Sequence, residues 1–169
     1  MKKLILVILG AAFFAPHCPA ANSDVEIHCV ARKVDEVNKS STESMAHLQE
    51  HWTYEVTVEN KTFKELSAVE VSYQIFYKKE ELGNRKEDKP QRQTGTFTIG
   101  ILKPHEKKSF TTNAVELKKA HLNNGYYYPD GGRQAAQDSL VGVWVRLMLA
   151  GQQFAEYANP STLLREKWE

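Results

Sequence analysis

Cysteine is nearly absent: Cys18 and Cys29 are the two in 169 residues. Cys18 falls in the leader described below, so Cys29 remains alone and no internal disulfide can staple the fold. An excess of one charge is also lacking, with 22 Lys and Arg against 21 Asp and Glu. A nucleic-acid partner asks for a clustered basic face, and a balanced chain offers no such footprint. No apolar stretch after residue 14 approaches the roughly eighteen residues of a membrane helix, so the mature chain is expected to have no transmembrane span. No glycine-rich loop opens a helix and no G-x-S-x-G turn occurs, which removes a phosphate cradle and a nucleophile elbow. No cofactor is expected.

What is present begins with a leader. Lys2 and Lys3 precede an apolar run over residues 4–14, and Ala15-Pro16-His17-Cys18-Pro19-Ala20 follows. This layout predicts a bacterial secretory signal peptide over residues 1–20, cleaved after Ala20, and a periplasmic or extracellular protein. A lipid anchor at Cys18 is the lesser reading, because Pro16-His17 stand where a lipobox wants small residues. Of the 22 basic residues Lys2 and Lys3 leave with the leader, so 20 face 21 acidic ones in the remaining 149. That length suits one domain, residues 21–169, with a C-terminal tail.

The chain is organised around residues 66–78, LSAVEVSYQIFYK. Val69, Val71, Tyr73, Ile75 and Tyr77 alternate with Glu70, Ser72, Gln74, Phe76 and Lys78, which predicts a half-buried strand. Trp52, Tyr54, Val56 and Val58 alternate in the same way against Thr53, Glu55, Thr57 and Glu59. Further strands are expected over 24–37, 94–102, 107–117, 139–149 and 153–158. Residues 79–93 are charged with both signs and read as a solvated hairpin tip. Residues 118–138 interrupt the rhythm as one long insertion. Seven strands at regular spacing without a βαβ alternation predict an all-β antiparallel sandwich of immunoglobulin-like type. Cys29 shares a face with Val25, Ile27 and Ala31 and is expected to act as a small core hydrophobe.

Tyr54-Glu55-Val56-Thr57-Val58-Glu59-Asn60, the strand at 66–77, and Leu102-Lys103-Pro104-His105-Glu106 before Ser109-Phe110 carry a resemblance. Together they resemble the immunoglobulin-like or fibronectin-III-like domains of exported bacterial proteins, the FxLYD type among them. The resemblance covers about residues 52–112, with residues 143–160 fitting a last hairpin. It implies a non-enzymatic binding or structural module, often in a surface or pilus-associated assembly. It brings no catalytic residues, and the insertion at 118–138 departs from it.

Two segments invite chemistry. Tyr126-Tyr127-Tyr128 lies in a loop rich in Gly, Asn and Pro, and three consecutive rings cannot all turn inward. Exposed tyrosine suits a protein or glycan partner, so these three are the expected binding residues. His47-Leu48-Gln49-Glu50-His51 fits H-x-x-E-H, in which two histidines one helical turn apart hold zinc and the Glu acts as base. Met45, Ala46 and Leu48 would permit a helix there, but it would run at once into the strand at Trp52. A metal at His47 and His51, and a small zinc hydrolase built with Glu50, are therefore the lesser expectation. The leading one is a module contacting an envelope or surface protein, with oligomerisation through an open sheet edge left open. A glycan-binding adhesin is its alternative.

Overall fold

The computed structural model describes residues 24–39, 42, 44–84 and 90–168. The expected leader lies outside these residues, as do residues 85–89 of the charged loop. Nine strands follow in chain order: β1 Val25–Lys39, β2 Met45–Asn60, β3 Leu66–Lys78, β4 Gln91–Leu102, β5 Lys107–Thr111, β6 Val115–Leu122, β7 Ala135–Gln137, β8 Ser139–Leu149 and β9 Gln152–Asn159. A short 3-10 helix, Ser161–Arg165, closes the described chain. Strands β1-β2-β6-β7 form one antiparallel sheet, with β5 also paired to β2, and β4-β3-β8-β9 form the other.

The all-β sandwich is as expected, but the strand count is nine rather than seven. Residues 107–117, expected as one strand, follow a single line along β2 and break at Thr112–Ala114. Thr112 turns both its backbone N–H and its hydroxyl onto Tyr54, each at 2.9 Å. The freed Asn113 N–H donates to the Tyr73 hydroxyl of the opposite sheet at 3.0 Å. Tyr73 reaches that far because it passes Gly95, where any Cβ would sit 2.3 Å from its oxygen. The break is thus a tie between the sheets. The insertion at 118–138 is not all loop either. It supplies the end of β6 and all of β7, which pairs with β6 from Lys119↔Gln137 to His121↔Ala135.

Alternation on β3 places Val69, Val71, Tyr73 and Ile75 in the core, where they meet Val56, Val58, Val143, Val145 and Leu147. Burying each such side chain is worth about 1.5–3 kcal/mol. Phe76 was expected on the wet face, yet it is 1% exposed. The C-terminal segment covers it, packing Leu163 and Trp168 against Phe76 and Trp144. Arg146 lies between the two indoles, 4.6 Å from the Trp144 ring and 4.3 Å from that of Trp168. No helix among the described residues is long and apolar enough to cross a membrane.

Candidate binding site

The tyrosine loop spans residues 123–134, between β6 and β7, at the end where β2 begins. Its base is closed by Leu122 N–H donating to Gln134 O at 2.9 Å and Asn123 N–H to Ser44 O at 3.0 Å. The Asn123 amide adds a bond to Thr42 O at 3.1 Å. Within the loop, Tyr126 N–H donates to Asn123 O at 3.2 Å and Gly131 N–H to Tyr128 O at 2.9 Å. These are turn closures of the kind Asn and Gly favour.

The three rings divide. Tyr126 is 43% exposed and Tyr127 70%. Tyr128 lies half-buried against Gly83, from the segment that follows β3. That segment acts as a buttress: Gly83 N–H donates to Arg133 O at 3.0 Å. Gly132 is buried against it, and a Cβ there would lie 2.7 Å from Gly83 Cα and O. Below the contact, Asp138 is 5% exposed and joins the middle of β6 to the segment after β3. One carboxylate oxygen accepts from Glu80 N–H at 2.8 Å and the other from Lys118 N–H at 2.9 Å. The Glu80 carboxylate accepts from Gln137 N–H at 3.2 Å and faces Arg133 at 3.5 Å. Charged residues expected to form a solvated tip therefore do structural work here. Two rings are displayed on a loop that cannot easily yield.

The H-x-x-E-H residues form no zinc site. Residues 44–50 lack the helix the motif needs, because β6 pairs with them as strand from Met45↔Leu122 to Trp52↔Val115. On a strand His47 and His51 share a face about 13 Å apart, and Glu50 projects from the other face. His51 Nδ1 is 2.5 Å from Asp35 Oδ1, and its Nε2 is 3.2 Å from Gln49 Nε2. A depression of about 250 Å³ adjoins His47, Leu48, Gln49 and Lys118. No cluster of three or more His, Cys, Asp or Glu suited to a metal occurs among the described residues.

Sequence reading missed a charged cluster on the inward face. Glu50 is 4% exposed and takes bonds from Lys119 Nζ at 2.8 Å, Lys33 Nζ at 2.9 Å and Trp52 Nε1 at 3.0 Å. Lys33 also meets Glu36. These donors, Lys119 first, hold the Glu50 carboxyl down at about 2 against the cost of burial. The alternation Leu48, Glu50, Trp52, Tyr54 was the available signal, since it puts a carboxylate on the apolar row. Cys29 packs against the core, and burial pushes its thiol up to about 12.

No protein-family model matches the chain. No curated protein matches it either. Among solved structures it is similar to a Northeast Structural Genomics Consortium target, 10% identical, with a TM-score of 0.41 over 88% of this chain and 96% of that one. It is also similar to a protein from Akkermansia muciniphila, 9% identical, with a TM-score of 0.29 over 82% of this chain and 73% of that one. Neither likeness bears on activity.

Proposed function

We propose that the protein is a non-enzymatic interaction module of an exported envelope or surface assembly, and that Tyr126 and Tyr127 are its contact residues. One observation carries this reading: two exposed rings stand on a loop braced by β2, β6 and the segment after β3. Tyrosine offers a large amphipathic surface at little conformational cost, and a braced loop has less order to lose on binding. The leader at residues 1–20 supports export.

The partner is a protein of the envelope. The test is crosslinking of the exported chain in envelope extract, beside a glycan and mucin array, with Tyr126→Ala/Tyr127→Ala as the paired variant. The expected result is one protein crosslinked by the wild type and lost in the variant. Glycan binding lost in the variant would instead make the protein an adhesin. Partner capture unchanged by the variant would remove the loop from the contact and overturn the reading.

A further inference from the structure

An open sheet leaves its outer strands free to pair, and the outer strands here are not defended alike. β1 carries Arg32, Lys33, Asp35 and Glu36 around a register shift between Lys33 and Asp35. β5 is five residues long and begins with Lys107 and Lys108. β7 is three residues long, and the Glu80 carboxylate caps its Gln137 N–H at 3.2 Å. β9 carries Glu156 and lies beside β1.

β4 has none of these devices. From Gln93 to Leu102 it reads QTGTFTIGIL, with no charged residue and no proline. On one side it pairs with β3 without a register shift from Gln91↔Tyr77 to Thr98↔Glu70. On the other side, no described element bonds to its backbone over Gln93–Gly100. Thr94, Thr96, Phe97 and Thr98 are exposed along that edge. A neutral, β-prone, exposed edge is the kind that recruits another strand.

Its two faces differ. Thr94, Thr96 and Thr98 share the outer face with Gln74, Ser72 and Glu70 of β3. On the inner face Gly95 alternates with Phe97. Phe97 is 42% exposed and stacks on Phe110 of β5 at 4.5 Å, with the planes 8° apart. Tyr73 passes Gly95 and lies 6.4 Å from Phe110. A shelf of aromatic rings therefore ends at the open edge, with Phe97 half in water.

The order Thr94-Gly95-Thr96-Phe97-Thr98 selects the strand that fits, which is its own copy run in reverse. A two-fold axis at Thr96 sets Thr96 against Thr96, and Thr94 against Thr98, on the outer face. Threonines opposed in this way bond through their hydroxyls. On the inner face each Phe97 falls opposite the second copy's Gly95, so the ring meets the edge of Tyr73 instead of a side chain. Arg92 falls opposite Gly100 and Gln93 opposite Ile99, so no like charges meet. Moving the axis to Gly95 sets two glycines together and turns Phe97 onto Gln93. Moving it to Phe97 drives together two rings that each stack already on Phe110.

We propose that β4 is a dimerisation edge, where two copies of this chain pair antiparallel about Thr96 and join their four-stranded sheets into one. A single strand pair is a small interface, in the range of reversible dimers. The inference is independent of the tyrosine loop, which takes no part in the contact.

The test is sedimentation of the exported protein at about 0.01–1 mM. The wild type is expected to pass reversibly from monomer to dimer over that range. Thr96→Lys and Thr96→Glu each bring two like charges together at the axis and should weaken the dimer about ten-fold. An equimolar mixture of the two variants should dimerise again, because a Lys–Glu pair then stands at the axis. Val34→Lys, on the β1 edge, should leave assembly unchanged, and tryptophan emission verifies that every variant is folded. A wild type that stays monomeric overturns the proposal, as does a dimer unmoved by charge at Thr96. A mixture that stays monomeric overturns it too, and so does a foreign strand found along β4 in place of the second copy.

Discussion

Glu50 accepts a hydrogen bond from Lys119 at 2.8 Å on the sheet face that, a few residues further along β2, carries Val56 and Val58. β1, β2 and β6 each contribute one charged residue to this spot: Lys33, Glu50 and Lys119. A buried carboxylate survives there because two ammonium groups and an indole N–H replace its water. Removing one member of such a set costs more than the set contributes, since the others stay behind unpaired.

Glu50→Gln is therefore expected to lower stability by roughly 1–3 kcal/mol at neutral pH, leaving two lysines facing a neutral amide. The wild-type carboxyl is held down at about 2 when folded, against an ordinary 4.5, by its hydrogen bonds from Lys119, Trp52 and Lys33. Its contribution is present above the unfolded value and is lost as pH falls from about 4.5 toward 2. Urea midpoints for both proteins across that range should converge at the acid end. A gap that persists there would mean that the amide acts through packing and not charge.

Asn60, fully buried, donates its amide to Lys64 O at 2.7 Å and to Leu102 O and Lys103 O at 3.1 Å, and its oxygen accepts from Thr62 N–H and hydroxyl at 2.9 and 2.7 Å. Asn60→Ala should be among the more damaging polar substitutions, at about 2–3 kcal/mol, because the buried Leu102 carbonyl and the half-buried carbonyls of Lys64 and Lys103 all lose a donor. Asn60→Asp would keep the acceptor for Thr62 and lose the donors, so it should fall nearly as far. Thermal unfolding distinguishes the cases. An aspartate variant as stable as the wild type would show that the Thr62 bonds matter and the three carbonyl bonds do not.

Period-two alternation made β3 and the core half of β2 legible, since a strand exposing one face must segregate Val69, Val71 and Ile75 from Glu70 and Ser72. It failed where a face is covered from outside the sheet. Phe76 and Trp144 stand on the nominally wet side, and nothing local announces that Leu163 and Trp168 return to cover them. It failed again at residues 44–50, where Met45, Ala46 and Leu48 suit a helix and pairing with β6 decides for strand. The tyrosine loop was legible as an aromatic run, but its bracing was not. Gly83, Arg133 and Asp138 meet only after β3 and β7 have been placed.

The Cys29 thiol, pushed up to about 12 by burial from an ordinary 9.0, should be nearly inert to alkylation in the native protein at neutral pH. Labelling should then track unfolding, accelerating in denaturant in step with the loss of tryptophan signal. Rapid modification of the folded protein would show that the edge formed by β1 opens locally without global unfolding.

Gly132→Ala tests whether the display of Tyr126 and Tyr127 depends on the buttress behind them. The new methyl would lie 2.7 Å from Gly83 Cα and O, which are backbone atoms that cannot swing aside. The segment after β3 must retreat, and the bond from Gly83 N–H to Arg133 O at 3.0 Å lengthens or breaks. The central core of Val56, Val71 and Val145 lies elsewhere, so the cost in global stability should be small beside the loosening of the loop. Deuterium uptake across residues 122–134 is expected to rise, while uptake in β3 and β8 stays as in the wild type. Affinity for a partner held by the two tyrosines should fall about ten-fold with both rings still present, because the ordering cost returns to the binding step. Gly125→Ala is the contrast: its Cβ would meet nothing within 4 Å, but φ is +93°, so it strains the turn without touching the buttress. If Gly132→Ala leaves uptake and affinity unchanged, the loop is held by its own turns and by Asn123, and the contact with Gly83 is incidental.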